Sequence, residues 1–405
     1  MQQLISIQQA DAYIADKVSA LGYSEVGIDD ASNRILAETV CADRPIPPYD
    51  RVMMDGIAIQ YESFAAGRRD FSITGTQAAG MPALEMANPN VCIEVMTGAA
   101  LPHGTDTVIK IEDIKIKNGT AHLAAGSIAE KRQHVHPMGS DQETGAALVS
   151  AGSPLGATEL AIAASVGHTN IKVYQRPEIL LITTGDEVIP PDDTPEPYQI
   201  RRSHYPAIRA SIESHQLGKV TNAHVPDTEE DLKNTLELNM DKYDVILLTG
   251  GISMGKFDYV APVMKSLIGD PCFHGIAQRP GKPFAFWSTA VGRAAPNTPQ
   301  QNGKRAIFAL PGNPVSVMAC LARYILPALR IMRGEIWNPQ SLSLANDIIW
   351  NAPFPGLVAC RVSGNQIHPT PPRNSGDYTA LAGCHGICEI DSTTRSGTNL
   401  KFYPW

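Results

Sequence analysis

Apolar residues between positions 176 and 330 fall in short, nearly continuous runs that are separated by stretches with helical spacing. The three clearest runs are Glu178-Ile-Leu-Leu-Ile-Thr, Asp244-Val-Ile-Leu-Leu-Thr and Ala306-Ile-Phe-Ala-Leu. Strands that are apolar on both faces are typical of a mostly parallel sheet covered by helices on both sides. The pattern therefore predicts a three-layer α/β domain over residues 176–330, with a further strand at 220–225 and helices at 205–217, 228–238, 256–268 and 314–329.

The rest of the chain has a different pattern on each side of this domain. Helical spacing predicts helices over 5–21, 32–40 and 158–166, whereas residues 45–140 show short alternating runs and turn signals such as Asn118-Gly119. We expect an inserted β-rich domain at 45–140 between the halves of a discontinuous helical linker domain, 1–44 and 141–175. Short β runs with Pro and Gly predict a small β-barrel-like domain at 331–405. The fold class is therefore multidomain, α/β plus β.

Composition narrows the function classes. The 405 residues carry a formal net charge of −8, which argues against non-specific nucleic-acid binding because that requires a basic surface. A small anionic ligand is still compatible with this charge, since a local cluster of donors can outweigh the global sign. No apolar run approaches the ~18 residues that cross a bilayer, and the first residues do not resemble a signal peptide. The seven cysteines contain no C-x-x-C pair, so we expect reduced thiols in a cytoplasmic protein rather than disulfides or a zinc site.

Candidate chemistry lies where the apolar strands end, because open α/β sheets bind ligands at the carboxyl ends of their strands. The first strand ends in Thr183-Thr-Gly-Asp-Glu, which places two carboxylates after a glycine. The alternative interpretation of this motif is a polar turn in which Glu187 caps a helix. The second strand ends in Leu248-Thr-Gly-Gly-Ile-Ser-Met-Gly-Lys-Phe-Asp. Its glycines can bring backbone N–H groups close to an anion, while Asp258 implies a cation or a donor-rich ligand; the alternative is a generic tight turn.

Two more turns complete the set. Leu310-Pro-Gly-Asn-Pro-Val-Ser again ends an apolar strand, and Asn313 and Ser316 could bind a base or ribose edge. Gln278-Arg-Pro-Gly-Lys-Pro places Arg279 and Lys282 around a Pro-Gly turn, where two cations could hold one oxyanion. A solvated surface turn is the alternative for this last motif.

Taken in order, these motifs resemble those of the molybdopterin molybdenumtransferase family, which includes the gephyrin E domain. The β-rich region agrees with that family as well. Met54-Asp-Gly-Ile-Ala resembles its M-D-G-Y-A motif, Met96-Thr-Gly-Ala-Ala-Leu-Pro its T-G-A-x-L-P motif, and Gly139-Ser-Asp its G-x-D turn. The likeness spans about residues 45–330, and the combination is far more specific than any single motif.

The resemblance implies an activity. Members of the family insert molybdate into adenylylated molybdopterin and release AMP, with Mg²⁺ present. They are homodimers whose sites form between the α/β domain of one subunit and the β domain of the other. A homologous molybdopterin adenylyltransferase is a candidate partner, and neither a nucleic acid nor a membrane is implied.

The resemblance also assigns roles to residues. Asp186, Glu187, Asp227 and Asp258 would form an acidic cluster for Mg²⁺ and the pyrophosphate, with Glu187 and Asp258 as metal ligands. Lys282, counted with these catalytic residues, would hold molybdate or the pterin phosphate together with Arg279. The remaining substrate-binding candidates are Gly250, Gly251 and Ser253 for phosphate, Asp55, Thr97 and Asp141 from the partner subunit, and Pro311, Gly312, Asn313, Ser316 and Ser375.

Two positions depart from the family pattern, and two other functions compete. Ile57 stands where the family has Tyr, and Arg279 stands where it has Lys, which keeps the charge but changes the geometry of oxyanion binding. Reduced activity would be compatible with these changes. A molybdopterin adenylyltransferase is one alternative, although the added β regions speak against it. A non-catalytic scaffold dimer that binds molybdopterin is the other.

Overall fold

The computed structural model describes residues 4–124, 126–252, 258–290 and 304–405. Its α-helices are α1 (Ile7–Lys17), α2 (Tyr61–Ala65), α3 (Ala157–Ser165), α4 (His204–Ser214), α5 (Glu229–Asn239), α6 (Val260–Ile268), α7 (Pro314–Cys320) and α8 (Leu326–Met332). Strands of the first half are β1 (Tyr23–Gly27), β2 (Val40–Cys41), β3 (Arg51–Val52), β4 (Gly56–Ile59), β5 (Asp70–Gln77), β6 (Val91–Val95), β7 (Thr107–Lys110), β8 (Ile114–Lys117), β9 (Thr120–Leu123), β10 (Val135–His136), β11 (Ala147–Val149) and β12 (Asn170–Tyr174). Those of the second half are β13 (Glu178–Thr184), β14 (Val188–Ile189), β15 (Ile200–Arg201), β16 (Lys219–Val225), β17 (Val245–Thr249), β18 (Phe273–His274), β19 (Ala285–Ala290), β20 (Lys304–Leu310), β21 (Gln340–Leu344), β22 (Gly356–Ser363), β23 (Gln366–Pro369), β24 (Gly386–Ile390) and β25 (Asn399–Pro404).

The described chain divides into two compact units. Unit 1 comprises Met1–Glu38, Ala151–Ala157 and Asn170–Trp405, and unit 2 comprises Thr39–Ser150 and Thr158–Thr169. The boundaries of the four predicted domains stay a prediction, because this division resolves two units rather than four.

Unit 1 is built on the predicted sheet, whose strand order is β16-β13-β17-β20-β19-β18. The first four strands are parallel, and β19 and β18 add an antiparallel edge. Alternate residues of β13 enter different cores: Ile179 and Leu181 pack with α1, α4 and α7, whereas Leu180 and Ile182 pack with α5 and α6. The three-layer α/β arrangement is therefore confirmed, with α1 contributing to one of its cores.

Local signals explain where the helices of this unit begin. Ser6 accepts a hydrogen bond from the Gln9 backbone N–H while the Gln9 side chain accepts one from the Ser6 N–H, which is a capping box for α1. Thr228 caps α5 by accepting from the Asp231 N–H, which fixes the start of the helix predicted at 228–238. The predicted helix at 256–268 is described from Val260 onward.

One helical segment of unit 1 is long and apolar enough to cross a membrane by length and composition alone. The segment Pro314–Met332 comprises α7, a π-helical turn over Leu321–Ile325 and α8, and its mean hydropathy is 1.5. The expectation that no apolar run approaches this length is therefore wrong. Since 83% of the segment is buried inside the structure, it is a core helix of the α/β layer.

The C-terminal part of unit 1 is a closed five-stranded barrel with the order β21-β23-β22-β24-β25. This confirms the predicted barrel-like domain. Cys360 and Cys388 lie in its core, and all seven cysteines of the chain are free thiols.

Unit 2 contains a second six-stranded sheet, β7-β4-β6-β5-β9-β8. The β8–β9 hairpin turns at Asn118 and Gly119, both of which have positive φ, as a two-residue hairpin turn requires. The predicted helix at 158–166 is confirmed as α3.

The predicted helix at 32–40 is wrong. Asn33 adopts a positive φ of 58°, which interrupts right-handed helix formation. Shortly after it, Ile35 and Leu36 make β-bridges to Pro154 and Val173. Burial against distant strands has overridden the local helical spacing here.

Candidate active site

The carboxyl ends of β13, β17 and β20 lie side by side and form a cleft of about 310 Å³. Adjacent parallel strands end at the same edge of a sheet, so the residues that follow them are brought together. The cleft is lined by Thr184, Gly185, Glu187, Asp227, Gly250, Gly251, Ile252, Asp258, Pro283, Pro311, Gly312 and Asn313. Most of the strand-end residues chosen from the sequence therefore share one cleft.

The glycines at the end of β17 have backbone conformations that other residues rarely adopt. Gly250 has a φ of +92° and Gly251 a φ of +60°. A Cβ on Gly250 would lie 2.8 Å from Thr184 Oγ1, which real Cβ atoms do not approach, and one on Gly251 would lie 3.2 Å from Val260 Cγ2. The turn therefore requires glycine for close contact with the neighbouring strand end and with α6.

Four carboxylates lie close together at this edge. Asp186 Oδ1 accepts a hydrogen bond of 3.1 Å from the backbone N–H of Asp227, the residue that follows β16 by two positions. Burial and the negative charges of Glu187, Asp186 and Asp258 raise the pKa of Asp227 above its ordinary value. The hard oxygen donors of this cluster suit a divalent cation such as Mg²⁺, which would relieve their mutual repulsion.

The cluster is not a preformed ligand cage. Within the described ranges, no three His, Cys, Asp or Glu side chains are gathered closely enough to hold a metal ion by themselves. Glu187 does not cap a helix, since β14 follows it and its carbonyl accepts from the Ile200 N–H at 2.8 Å. The helix-cap interpretation of the first motif is therefore wrong.

The Arg279-Pro-Gly-Lys turn is fixed by its backbone, and its charged side chains are exposed. The Arg279 N–H donates to Pro355 O at 2.9 Å and its carbonyl accepts from the Leu357 N–H at 2.7 Å, which ties the turn to the barrel. A Cβ on Gly281 would lie 2.5 Å from Cys320 Sγ, so the turn packs closely on α7. Neither Arg279 nor Lys282 lines the cleft, although Pro283 next to Lys282 does.

The other predicted residues of unit 1 have different positions. Ser316 is buried within α7 and does not line the cleft. The Ser375 carbonyl accepts from the Val315 N–H at 3.1 Å, which places the 373–377 loop at the start of α7, beside Asn313. Ser253 lies outside the described residues. Thr184 and Ile252 were missed as cleft residues, even though both stand inside the motifs that the sequence singled out.

Unit 2 holds the three remaining candidates. Asp55 Oδ1 accepts hydrogen bonds from both the backbone N–H and the Oγ1 of Thr97, each at 2.7 Å, and these bonds lower the pKa of Asp55. Asp141 Oδ1 lies 2.7 Å from His136 Nε2, and His136 Nδ1 lies 3.0 Å from Arg51 Nη2. Sequence reasoning missed His136 and Arg51, because they lie outside the recognised motif and reach Asp141 through the chain fold.

The fold and the cleft define a multidomain α/β protein whose strand-end cleft places carboxylates beside glycine turns. Residues 5–167 match the family model of the MoeA N-terminal region (domain I and II), and residues 180–331 match that of a probable molybdopterin binding domain.

Curated relatives and solved structures agree with these matches. The chain is 33% identical to a molybdopterin molybdenumtransferase from Synechocystis, over 99% of this chain and 100% of that protein, and 27% identical to one from Staphylococcus epidermidis, over 96% and 92%. A solved molybdopterin biosynthesis MoeA protein from Pyrococcus horikoshii has a TM-score of 0.83 at 26% identity and covers 99% of both chains. The chain therefore belongs to the molybdopterin molybdenumtransferase family. The members of this family are transferases of molybdenum-cofactor biosynthesis.

Proposed function

We propose that this protein inserts molybdate into adenylylated molybdopterin and releases AMP in a Mg²⁺-dependent reaction. The observation that carries the proposal is the meeting of Glu187, Asp227 and Asp258 with the Gly250-Gly251 turn in one cleft. Each group alone occurs in many proteins. Together they supply both an anion-binding turn and oxygen ligands for a cation, which a pyrophosphate-linked substrate needs.

The backbone N–H of Gly251 would bind a pyrophosphate oxygen, since the turn carries no side chain that blocks approach. The Gly250 N–H instead donates to Leu310 O at 3.3 Å and so holds the turn against the end of β20. Glu187 and Asp258 would hold Mg²⁺ together with oxygens of the substrate, which is how Mg²⁺ is usually bound when few carboxylates contribute. The bound ion would neutralise the charge that develops when the phosphoanhydride is cleaved. With the cation bound, the neighbouring carboxylates would repel the Asp227 carboxylate less than they do in the empty cleft.

Arg279 and Lys282 would attract molybdate or the pterin phosphate from the rim. Their side chains are exposed, and the turn that carries them is held on α7 and on the barrel. A fixed backbone with free cationic ends suits the capture of a diffusing oxyanion, because the charge is placed without closing the entrance. Asn313 in the cleft and Ser375 beside α7 would then contact the remainder of the substrate.

We also propose a homodimer in which Asp55, Thr97 and Asp141 act on the substrate held by the partner subunit. The resemblance to the family supports this arrangement, and the fixed carboxylates of Asp55 and Asp141 are compatible with it. A dimer that mixes Asp258→Asn subunits with Asp55→Asn subunits should regain activity that neither variant has alone. Equal inactivity of the mixture would contradict shared sites. Cytoplasmic location and an adenylyltransferase partner stay predictions.

The decisive assay measures AMP released from adenylylated molybdopterin, with and without molybdate and Mg²⁺. We expect release to require both, and we expect Asp258→Asn to lower the rate on the order of 100-fold, the scale for losing one electrostatic group at a reacting centre. Asp270→Asn is the matched control, because Asp270 is an exposed carboxylate after α6 that pairs with Lys265. Unchanged molybdate insertion in Asp258→Asn would contradict catalysis in this cleft and favour the scaffold alternative.

The adenylyltransferase alternative has its own test. Incubating the protein with molybdopterin and Mg-ATP would form adenylylated pterin if that alternative were correct. No specific feature of the described residues favours it, and the Synechocystis relative matches the β regions as well as the α/β domain.

A further inference from the structure

Four arginines converge at the edge of the α/β sheet opposite the strand-end cleft. They come from separate parts of unit 1: Arg34 from the loop after β1, Arg176 from the segment before β13, and Arg330 and Arg333 from the end of α8. Because β13 runs from Glu178 to Thr184, the Arg176 end is the amino end of the sheet. This cluster is therefore distinct from the proposed catalytic site.

Hydrogen bonds fix the positions of three of these guanidinium groups around Tyr174 and Gln216. Arg34 Nη2 donates to Tyr174 O at 2.9 Å, and Arg176 Nη2 donates to Gln216 Oε1 at 2.6 Å. Arg333 Nη1 lies 3.3 Å from Gln216 O and also bonds the carbonyl of the preceding residue at the end of α4. The three groups are thus linked through shared neighbours rather than merely being close on the surface.

The approach of the α8 end to Tyr174 is equally tight. A Cβ on Gly334, the residue after Arg333, would lie 2.2 Å from the Tyr174 ring. Gly334 also has a φ of +78°, a conformation that favours glycine. The chain therefore brings Arg333 against the residue whose carbonyl holds Arg34.

The charges in this cluster are poorly balanced. Arg330 Nη1 and Arg333 Nε both bond the Glu335 carboxylate, each at 2.8 Å. Within the described ranges, neither Arg34 nor Arg176 has a carboxylate at ion-pair distance. Four guanidinium groups therefore share one carboxylate in a protein whose net charge is −8.

The electrostatic environment reflects this imbalance. Burial lowers the pKa of Arg176, and the charges of Arg34 and Arg333 lower it further. Burial and the charge of Arg333 likewise lower the pKa of Arg34. The charged neighbours that perturb these two groups are other arginines, so an anion placed among them would gain attraction from several cations and relieve their repulsion.

We propose that Arg34, Arg176 and Arg333 form an oxyanion-binding site that takes a phosphate-like dianion, either inorganic phosphate or the phosphate of a small monoester. A guanidinium group has five N–H donors, and Arg34 and Arg176 each use one in the bonds described above. Arg333 already uses Nε and Nη2 on Glu335 and Nη1 on two carbonyls, so its main contribution would be positive charge. The remaining donors match the several acceptor oxygens of a phosphate. Such an anion would join three segments that are distant in sequence, so its binding would stabilise unit 1.

The test uses the full chain and compares phosphate with chloride at equal ionic strength, by calorimetric titration and by thermal unfolding. We expect inorganic phosphate to bind and to raise the unfolding temperature. Arg34→Gln and Arg176→Gln should each weaken phosphate binding about tenfold or more, the scale for losing one charge-assisted hydrogen bond. Arg395→Gln removes an equal charge from the exposed pair with Asp347 and should leave the affinity unchanged.

A second measurement separates a ligand site from a structural role. Without phosphate, Arg176→Gln should keep or raise the unfolding temperature, because it removes like-charge repulsion. A fall of equal size with and without phosphate would assign the arginines a structural role and overturn the proposal. Wild-type phosphate affinity in both variants would place the anion elsewhere, including the strand-end cleft, and would also overturn it. Glycerol phosphate identifies the source: tighter binding than inorganic phosphate indicates a monoester ligand, and weaker binding indicates the free ion.

Discussion

Replacing Arg323 should destabilise unit 1 more than any single surface change, because this buried side chain joins three elements. Its Nη1 and Nη2 bond the two Asp11 carboxylate oxygens of α1 at 2.8 Å each, and its Nε bonds Glu389 Oε2 of β24 at 3.0 Å. The guanidinium carbon also lies 4.6 Å from the centre of the Tyr403 ring. The Arg323 side chain is 5% exposed, so the whole junction depends on one buried cation.

The magnitude follows from what Arg323→Met would leave behind. Removing one partner of a buried ion pair costs about 3–5 kcal/mol, chiefly because the other charge stays buried. The Asp11 side chain is 46% exposed and can regain water, whereas Glu389 is 13% exposed and cannot do so fully. We therefore expect about 3 kcal/mol, the lower end of that range, and most of it should come from Glu389.

The assay is denaturant unfolding followed by tryptophan fluorescence. All four tryptophans lie in unit 1, so the signal reports the unit that contains the junction. Arg323→Met combined with Glu389→Gln should regain much of the lost stability, because the second change removes the stranded charge. Arg395→Met is the matched control and should cost about 1 kcal/mol or less, as exposed pairs do. A loss below about 1 kcal/mol in Arg323→Met, or a double variant no more stable than the single one, would refute the reasoning.

Three further predictions concern the proposed site. Gly250→Ala should slow AMP release and lower the unfolding temperature, because the added Cβ would clash with Thr184 Oγ1. Gly152→Ala is the control for backbone strain alone, since Gly152 has a similar φ of +86° and an added Cβ there would meet no atom within 4 Å. Equal effects of the two changes would contradict a steric cause. The raised pKa of Asp227 means that its carboxyl holds a proton more tightly in the folded protein than in the unfolded chain, so stability should be lost as the pH rises from 3.8 through the raised pKa. In the absence of Mg²⁺, Asp227→Asn should flatten that part of the pH–stability curve. An unchanged curve would count against the carboxylate cluster. His136→Leu should lower kcat/KM about tenfold, because Asp141 would lose the hydrogen bond from the His136 ring. His136→Gln keeps a hydrogen-bond donor and should retain more activity than His136→Leu. Identical losses in the two variants would show that this hydrogen bond is unimportant.

Local pattern predicted much of the fold. The three near-continuous apolar runs predicted β13, β17 and β20, and because parallel strands end at one edge, they also predicted that Glu187 and Asp258 would share a cleft. The Asn118-Gly119 turn predicted the β8–β9 hairpin from backbone conformation alone. These features depend on neighbours in sequence or on a general rule of sheet architecture.

Features that depend on distant pairing could not be predicted in the same way. Helical spacing at 32–40 gave way to bridges that bury Ile35 and Leu36 against residues more than a hundred positions later. Ser316 lies on α7 and is buried in the protein core, which a motif cannot reveal because it records spacing and not burial. The arginine cluster and the Arg323 junction likewise have no local signature, since their members become neighbours only through the fold.

The Asp11–Arg323 pair has a consequence for synthesis on the ribosome, because 312 residues separate its partners. The first helix emerges early and must wait for nearly the whole chain before it can reach its buried cation, and Glu389 follows later still. Thr39–Ser150, by contrast, is an uninterrupted stretch of unit 2 that can begin to compact while translation of unit 1 continues. We therefore expect nascent chains truncated before residue 323 to show protease-resistant material from 39–150, while their first helix stays cleavable.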